Sequence, residues 1–286
     1  MAETGYRTRF APSPTGPLHL GHAFSALTAQ GRAHAARGQM LLRIEDIDTT
    51  RARPAWETRI FDDLAWLGLD WPRPVLRQSD RLPAYDAALA RLAGMGLTYP
   101  CRCRRADIRA ALSAPQAGAT VQGPDGPVYP GTCRARPMEA AAPDDAIRLN
   151  MAAALAHLGP KLRGFTETGP AQAGVHTLCA AQMIDGVGDI VLARRDIGSS
   201  YHLAVVVDDA HQGITEVVRG ADLFDATQIH VLLQDLLDLP TPAYHHHRLI
   251  TDAAGRRLAK RDDARALATY RAEGATPADI RRMVGL

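Results

Sequence analysis

The sequence predicts an α/β fold in which a parallel sheet is interrupted by an insert and then resumed. Three observations predict it. Strand-like and helix-like stretches alternate over the first hundred residues. A segment at 113–146, containing "SAPQAGATVQGPDGPVYPGTCRARP", is too rich in Pro, Gly and Ala to continue that pattern. Alternation then returns at "DIVLARRD" (189–196).

The elements follow in order. Residues 6–11 suit a short strand, and an alanine-rich helical pattern runs from Leu18 to about Gly38. "MLLRIED" (40–46) reads as a buried strand that ends in carboxylates. Helical patterns at 54–68 and 81–96 each close on glycine. Past the insert, "YHLAVVVDD" (201–209) reads as a strand, with "LAVVV" as its buried run, and "EVVRG" (216–220) as another. "DATQIHVLLQDLLDL" (225–239) is an amphipathic helix with Asp225 placed to cap it. "AYHHHRLI" reads as a strand, in which only His245 and His247 share a face; these histidines are expected at a substrate or solvent surface. "TPADIRRMVGL" starts a helix with Thr276, Pro277 and Asp279 in capping positions.

Of the 286 residues, 46% are hydrophobic and 22% charged, a globular composition with enough length to bury a large core. No apolar run reaches membrane-spanning length, and "MAETGYRTRF" lacks the apolar stretch of a signal peptide. A cytoplasmic, monomeric protein with no membrane partner is expected. Net charge is +2, but residues 248–286 hold nine Lys/Arg and five Asp/Glu, a +4 segment against −2 for the remainder. That segment suits a solvated basic tail or a footprint for a polyanion equally well.

"RFAPSPTGPLHLGH" (9–22) joins a strand end, a shaped loop and a helix start. The first N–H groups of a helix lack intrahelical partners and carry partial positive charge, so a phosphate suits that position. His19 and His22 lie three apart on the first turn, where two imidazole donors can stabilise charge developing on phosphate. Gly21 between them leaves bare backbone for a flat base.

"HLGH" resembles the HIGH signature of class I aminoacyl-tRNA synthetases, and "RRLAKR" (256–261) resembles their second signature, KMSKS. "RFAPSPTGPLHLGH", "LLRIEDID", "YHLAVVVDDAHQGITEVVRG" and "HHRLI" resemble the glutamyl branch of that class, in matching order from end to end. The resemblance implies a class I synthetase-type Rossmann-like sheet. Its expected catalytic domain is split over 1–98 and 187–240, around an inserted acceptor-type subdomain at 99–186. A KMSKS-like loop and short helical stem would occupy 241–286, with no anticodon-binding domain after it.

The chemistry implied is activation of L-glutamate by ATP, with Mg2+ accompanying the nucleotide. The attacking carboxylate is already ionised, so catalysis reduces to positioning and electrostatic stabilisation. By resemblance, His19, Gly21, His22 and Lys260 serve ATP. Glu45 takes the glutamate ammonium; Arg9, Phe10, Ala11, Pro12 and Ser13 line the same pocket; Tyr201 and Arg219 hold the remaining carboxylate, Arg219 as a bidentate fork. Arg257 and Ala259 depart from the KMSKS pattern, while Lys260 keeps it.

Cys101, Cys103 and Cys133 offer three thiolates within 33 residues. Cys179 could complete a tetrahedral zinc set, or the thiols could stand without metal. The resembled branch instead uses a C-x-C…Y-x3-C set, which points to Tyr129 as the fourth ligand of a structural Zn2+. Only 26 residues follow Lys260, so the chain resembles a truncated subfamily of that branch. That subfamily activates glutamate without tRNA and attaches it to queuosine at the wobble position of tRNA(Asp), with the anticodon stem-loop as partner. Glutamate activation for another acceptor, such as tRNA-Glu, and a catalytically impaired tRNA-binding paralogue remain as alternatives.

Overall fold

The computed structural model describes residues 5–113, 121–251 and 265–286. The first half alternates as expected: β1 (Arg7–Phe10), α1 (Leu20–Ala35), β2 (Gln39–Ile44), α2 (Pro54–Trp66), β3 (Leu76–Arg77), α3 (Leu82–Gly94) and β4 (Thr98–Cys101). The insert then holds α4 (Arg105–Leu112), the two-residue strands β5 (Gln122–Gly123) and β6 (Gly126–Pro127), and β7 (Ala146–Leu149). Next come α5 (Met151–Leu158), β8 (Gly164–Glu167), β9 (Gly174–Thr177), the single turn α6 (Ala180–Gln182) and β10 (Val191–Ala193). The chain closes with α7 (Tyr201–His211), β11 (Glu216–Gly220), α8 (Thr227–Leu236), β12 (Ala243–His247), α9 (Leu267–Ala272) and α10 (Pro277–Val284).

β1, β2 and β3 form a parallel sheet in that order. β11 pairs parallel with β12, which meets β8. β1 lies alongside β11, where the Thr215 N–H donates to the Arg7 carbonyl at 2.9 Å. The layer therefore reverses direction of winding between β1 and β11, and a ligand crevice belongs at the carboxyl ends of those strands. A second sheet, antiparallel, runs β10-β7-β4. Strand pairing crosses the expected boundary at 186/187: β8, from the inserted segment, joins β12, whereas β10 pairs with β7.

Alanine is what lets α1 lie close on the sheet. Ala23, Ala26, Ala29 and Ala33 are fully buried against Leu42, Ile44, Ile60 and Leu64, and Ile280 and Val284 of α10 seal the same cluster. A second core joins α5, α7 and α8 through Leu155, Leu203, Val206, Ile229 and Leu233. At roughly 1.5–3 kcal/mol for each fully buried large apolar side chain, these two clusters dominate the folding energy.

Two expectations fail here. Residues 201–209 form helix, not strand: Leu203, Ala204, Val205 and Val206 are all buried because α7 is covered by neighbours on more than one face. A helix wrapped in this way loses its 3.6-residue signature, and its valines then read as strand. Ser200, whose hydroxyl accepts from the Leu203 N–H at 3.4 Å, is the start signal that was available. Asp225 does not cap α8, whose N-cap is Ala226 with no side-chain bond. The capping box of Thr276 and Asp279 on α10 is present as expected.

Candidate active site

At the crevice between β1 and β11 opens a cleft of about 1180 Å³, room for a nucleotide and a small second ligand together. Arg9, Phe10, Ala11, Pro12, Ser13, His19, Gly21, His22, Glu45, Tyr201 and Arg219 all line it. The loop after β1 is held against β2 by the Glu45 N–H, which donates to the Pro12 carbonyl at 3.1 Å.

His19 is the N-cap of α1, so the two histidines do more than sit on its first turn. The Gly21 N–H donates to His19 Nδ1, and the His19 N–H donates to His22 Nδ1, each at 3.1 Å. The ring centroids are 3.8 Å apart. An imidazole that accepts at Nδ1 carries its proton on Nε2, and both rings line the cleft. Gly21 lines the cleft, and a Cβ there would stand 3.0 Å from the His19 ring, so glycine also makes room for the capping imidazole. Ala266, six residues past Lys260, pairs with His19, and the Leu267 N–H donates to the Leu18 carbonyl. Lys260, Arg257 and Ala259 lie outside the described residues.

Arg9 and Glu45, which line the cleft, are tied to two buried residues behind them, Arg43 and Asp209. Asp209 accepts from Arg9 Nε at 3.0 Å and from Arg43 Nη1 at 2.6 Å, while Arg43 Nη2 reaches Glu45 at 3.1 Å. Arg43 is fully buried. Burial raises the Glu45 pKa; Arg43 and Arg9 oppose that shift only in part. Burial would raise Asp209 as well, but Arg9 and Arg43 outweigh it and hold the carboxyl below its ordinary range. Glu45 is therefore the group that another cation would relieve.

Across the cleft, Arg219 is 5% exposed, and no described carboxylate pairs with it. Its Nε–H donates to His246 Nε2 at 3.0 Å and Nη1 to His230 Nδ1 at 3.0 Å. Nη2 donates to the Leu223 carbonyl and to Thr227 Oγ1. One Nη1–H is left. The expected bidentate fork on a carboxylate therefore requires that a ligand displace Thr227 or the Leu223 carbonyl from Nη2. Burial and the Arg219 charge depress both imidazoles, His230 well below its ordinary value and His246 to about 4, so both stay neutral acceptors. The Tyr201 hydroxyl has no partner among the described residues, and burial raises its pKa, keeping it a phenol donor.

His245, His246 and His247 are all buried, so the strand does not lie at the solvent surface. His245 meets Thr168 at 3.1 Å, and His246 donates from Nδ1 to Glu167 at 2.5 Å. Only His247 lines the cleft.

In the insert, the sulfurs of Cys101, Cys103 and Cys133 lie within 4.8 Å of one another. Tyr129 Oη is 3.4 Å from both Cys101 Sγ and Cys103 Sγ, and Cys103 Sγ is 3.5 Å from Cys133 Sγ. Tetrahedral zinc with bonds of about 2.3 Å to sulfur and 2.0 Å to oxygen puts ligand atoms about 3.5–3.8 Å apart. The four groups fit that geometry. Cys179 is exposed at the start of α6, away from the cluster, which removes it as the fourth ligand.

The class I tRNA synthetase (E and Q) catalytic domain profile matches residues 6–158 and 161–286. The chain belongs to this synthetase family. It is 62% identical to a Rhodobacter capsulatus glutamyl-Q tRNA(Asp) synthetase, over 98% of this chain and 99% of that one. A Geobacter sulfurreducens protein of the same name is 41% identical over 92% of this chain and 78% of its own. Among solved structures, a glutamate tRNA ligase from Elizabethkingia meningosepticum, in complex with its amino acid, superposes with a TM-score of 0.75 at 27% identity. That match covers 99% of this chain but 60% of the ligase. No helix among the described residues is long and apolar enough to cross a membrane.

This synthetase chain uses site residues that motif reading did not single out. Arg43 and Asp209 do not line the cleft but hold Arg9 and Glu45, which do, and Arg194 and Arg195 line it as well. Asp209 was hidden by the strand reading of 201–209. On a helix, Asp208 and Asp209 diverge: Asp208 bonds Gln78, Arg81 and Tyr85, and Asp209 bonds Arg9 and Arg43.

Proposed function

We propose that the chain activates L-glutamate with ATP in the absence of tRNA and then esterifies queuosine in the anticodon of tRNA(Asp). The observation that carries the first step is the charge layout of the cleft. Arg219 is a buried cation with no paired carboxylate, and Glu45 is a buried carboxylate with an incomplete counter-charge. A diacid bearing an ammonium completes both.

A glutamate carboxylate oxygen attacks the α-phosphorus of ATP, a P–O bond forms, and pyrophosphate leaves. His19 and His22 donate Nε2–H to the phosphate as charge grows on it, and Lys260 supplies a further cation. Magnesium would accompany the nucleotide and offset part of the phosphate charge. In the second step a hydroxyl of the cyclopentene diol attacks the activated carbonyl, an ester bond forms, and AMP leaves. Arg51, Arg104, Arg105, Arg194 and Arg195 at the mouth suit the phosphates of an anticodon stem-loop. The Rhodobacter capsulatus relative, alike over its whole length, supports queuosine as the acceptor.

Acceptor mapping tests this. Radiolabelled glutamate should attach to tRNA(Asp) carrying queuosine, and only at background level to the same tRNA lacking it. Transfer to unmodified tRNA-Glu would overturn the acceptor. No glutamate-dependent ATP–pyrophosphate exchange would overturn the activity itself.

Zinc is the metal we assign to the Cys101, Cys103, Tyr129 and Cys133 cluster, as a structural brace for the insert. Purified protein should hold about one zinc per chain, and Cys101→Ser should lose it. The variant's Tm should fall, by about 2–4 °C for each kcal/mol lost in a chain of this size. Elemental analysis and thermal melts check both, and metal-free wild-type protein of equal stability would remove the assignment.

A further inference from the structure

Four polar side chains from four parts of the chain meet end to end beside the cleft. Arg219 Nη1 donates to His230 Nδ1 at 3.0 Å. His230 Nε2 is 3.0 Å from His202 Nδ1, and His202 Nε2 is 2.8 Å from Asp125 Oδ2. Chemistry fixes the direction of every bond. A guanidinium can only donate, so His230 accepts at Nδ1 and carries its proton on Nε2. That proton goes to His202 Nδ1, which forces the second imidazole to donate from Nε2 to the carboxylate. No other neutral arrangement satisfies all three contacts.

Each link sits on a different element. Arg219 is on β11, His230 on α8, His202 on the first turn of α7 beside Tyr201, and Asp125 on the turn between β5 and β6. That hairpin belongs to the insert and is docked firmly. A Cβ on Gly123 would come within 2.5 Å of the Gly186 carbonyl oxygen, so its bare backbone lies directly on the turn after α6. Asp125 is half exposed but itself lines the cleft, while both imidazoles are buried.

We propose that Asp125 is a positioning residue for glutamate: through His202 and His230 it sets the tautomers that keep Arg219 aimed at the substrate carboxylate. The inference rests on the assignment of Arg219 to glutamate. The other imidazole on Arg219, His246, ends on Glu167 in the same manner, so the guanidinium is suspended between two imidazoles, each backed by a carboxylate. Charge is thereby balanced at a distance, and the face of Arg219 toward the cleft keeps its field for a ligand. A carboxylate placed directly on Arg219 would cancel that field. The hairpin thus joins the metal-bearing insert to the amino-acid pocket.

The test compares Asp125→Ala, Asp125→Asn and Asp125→Glu with the wild type. In glutamate-dependent ATP–pyrophosphate exchange, Asp125→Ala should raise the KM for glutamate about tenfold. The KM for ATP and the melting temperature should stay near wild type. Asn keeps an acceptor for His202 and should fall between, and Glu should restore most of the affinity. Imidazole 15N spectra of the wild type should show both His202 and His230 protonated at Nε2, with that order lost in Asp125→Ala. An unchanged glutamate KM, or a loss that moves both KM values and the melting temperature together, would overturn the proposal. A wild type with no exchange would speak against the activity; mixed tautomers at His202 and His230 in that protein would still overturn the relay.

Discussion

Replacing Glu45 with glutamine is expected to reduce glutamate-dependent ATP–pyrophosphate exchange by about 10²–10³-fold while ATP binding changes less than about twofold. The side chain is buried beside Arg43 and Arg9, where water cannot stand in for a lost counter-charge. Glutamine keeps the shape but leaves the substrate ammonium without an anion. Burial raises the Glu45 pKa in the free protein. An ammonium beside it favours the ionised form, so glutamate binding should release a proton at acidic pH. The KM for glutamate should accordingly climb as pH falls through the Glu45 titration, and the climb should vanish in the glutamine variant. Steady-state exchange across pH, with calorimetric ATP binding, checks the pair of claims. Equal loss of ATP affinity would place Glu45 in the fold instead of the amino-acid pocket.

Arg219→Leu is expected to raise the KM for glutamate by about 10²–10³-fold, again with ATP little affected. The leucine removes the cation, strands His230 Nδ1 without a donor and leaves His246 Nε2 only the Thr227 hydroxyl at 3.3 Å. Arg219→Lys should recover little. A single ammonium cannot donate to both imidazoles, to Thr227 and to a ligand in the directions that the planar guanidinium does. Kinetics on both variants, with thermal melts to separate folding from binding, decide the point. A lysine variant with near wild-type KM would show that charge alone, not the suspended geometry, selects the substrate.

How much of this was legible in the chain depended on whether a residue acts through a neighbour in sequence. His19 and His22 lie three apart, and a glycine sits between them, so their shared site could be read directly. Thr276 and Asp279 announced their helix for the same reason. The valine run at 203–207 could not be read, because burial on more than one face erases the period that distinguishes helix from strand. With that error went Asp209, whose partners Arg9 and Arg43 are some two hundred and one hundred and sixty-six positions away in the chain.

The sequence by itself determined the alternation of strands and helices over the first hundred residues and the helix start at His19 and His22, and its resemblance to glutamyl synthetases implied the charges that glutamate needs. It also singled out three cysteines, to which the resemblance added Tyr129. Tertiary structure alone decided which charges cancel and which remain. Asp209 is spent on two arginines, and Arg219 is left with imidazoles in place of a carboxylate. The reason is physical: pairing of buried charges depends on contacts a few ångströms long between segments far apart in the chain, and no local pattern of residues encodes such distances.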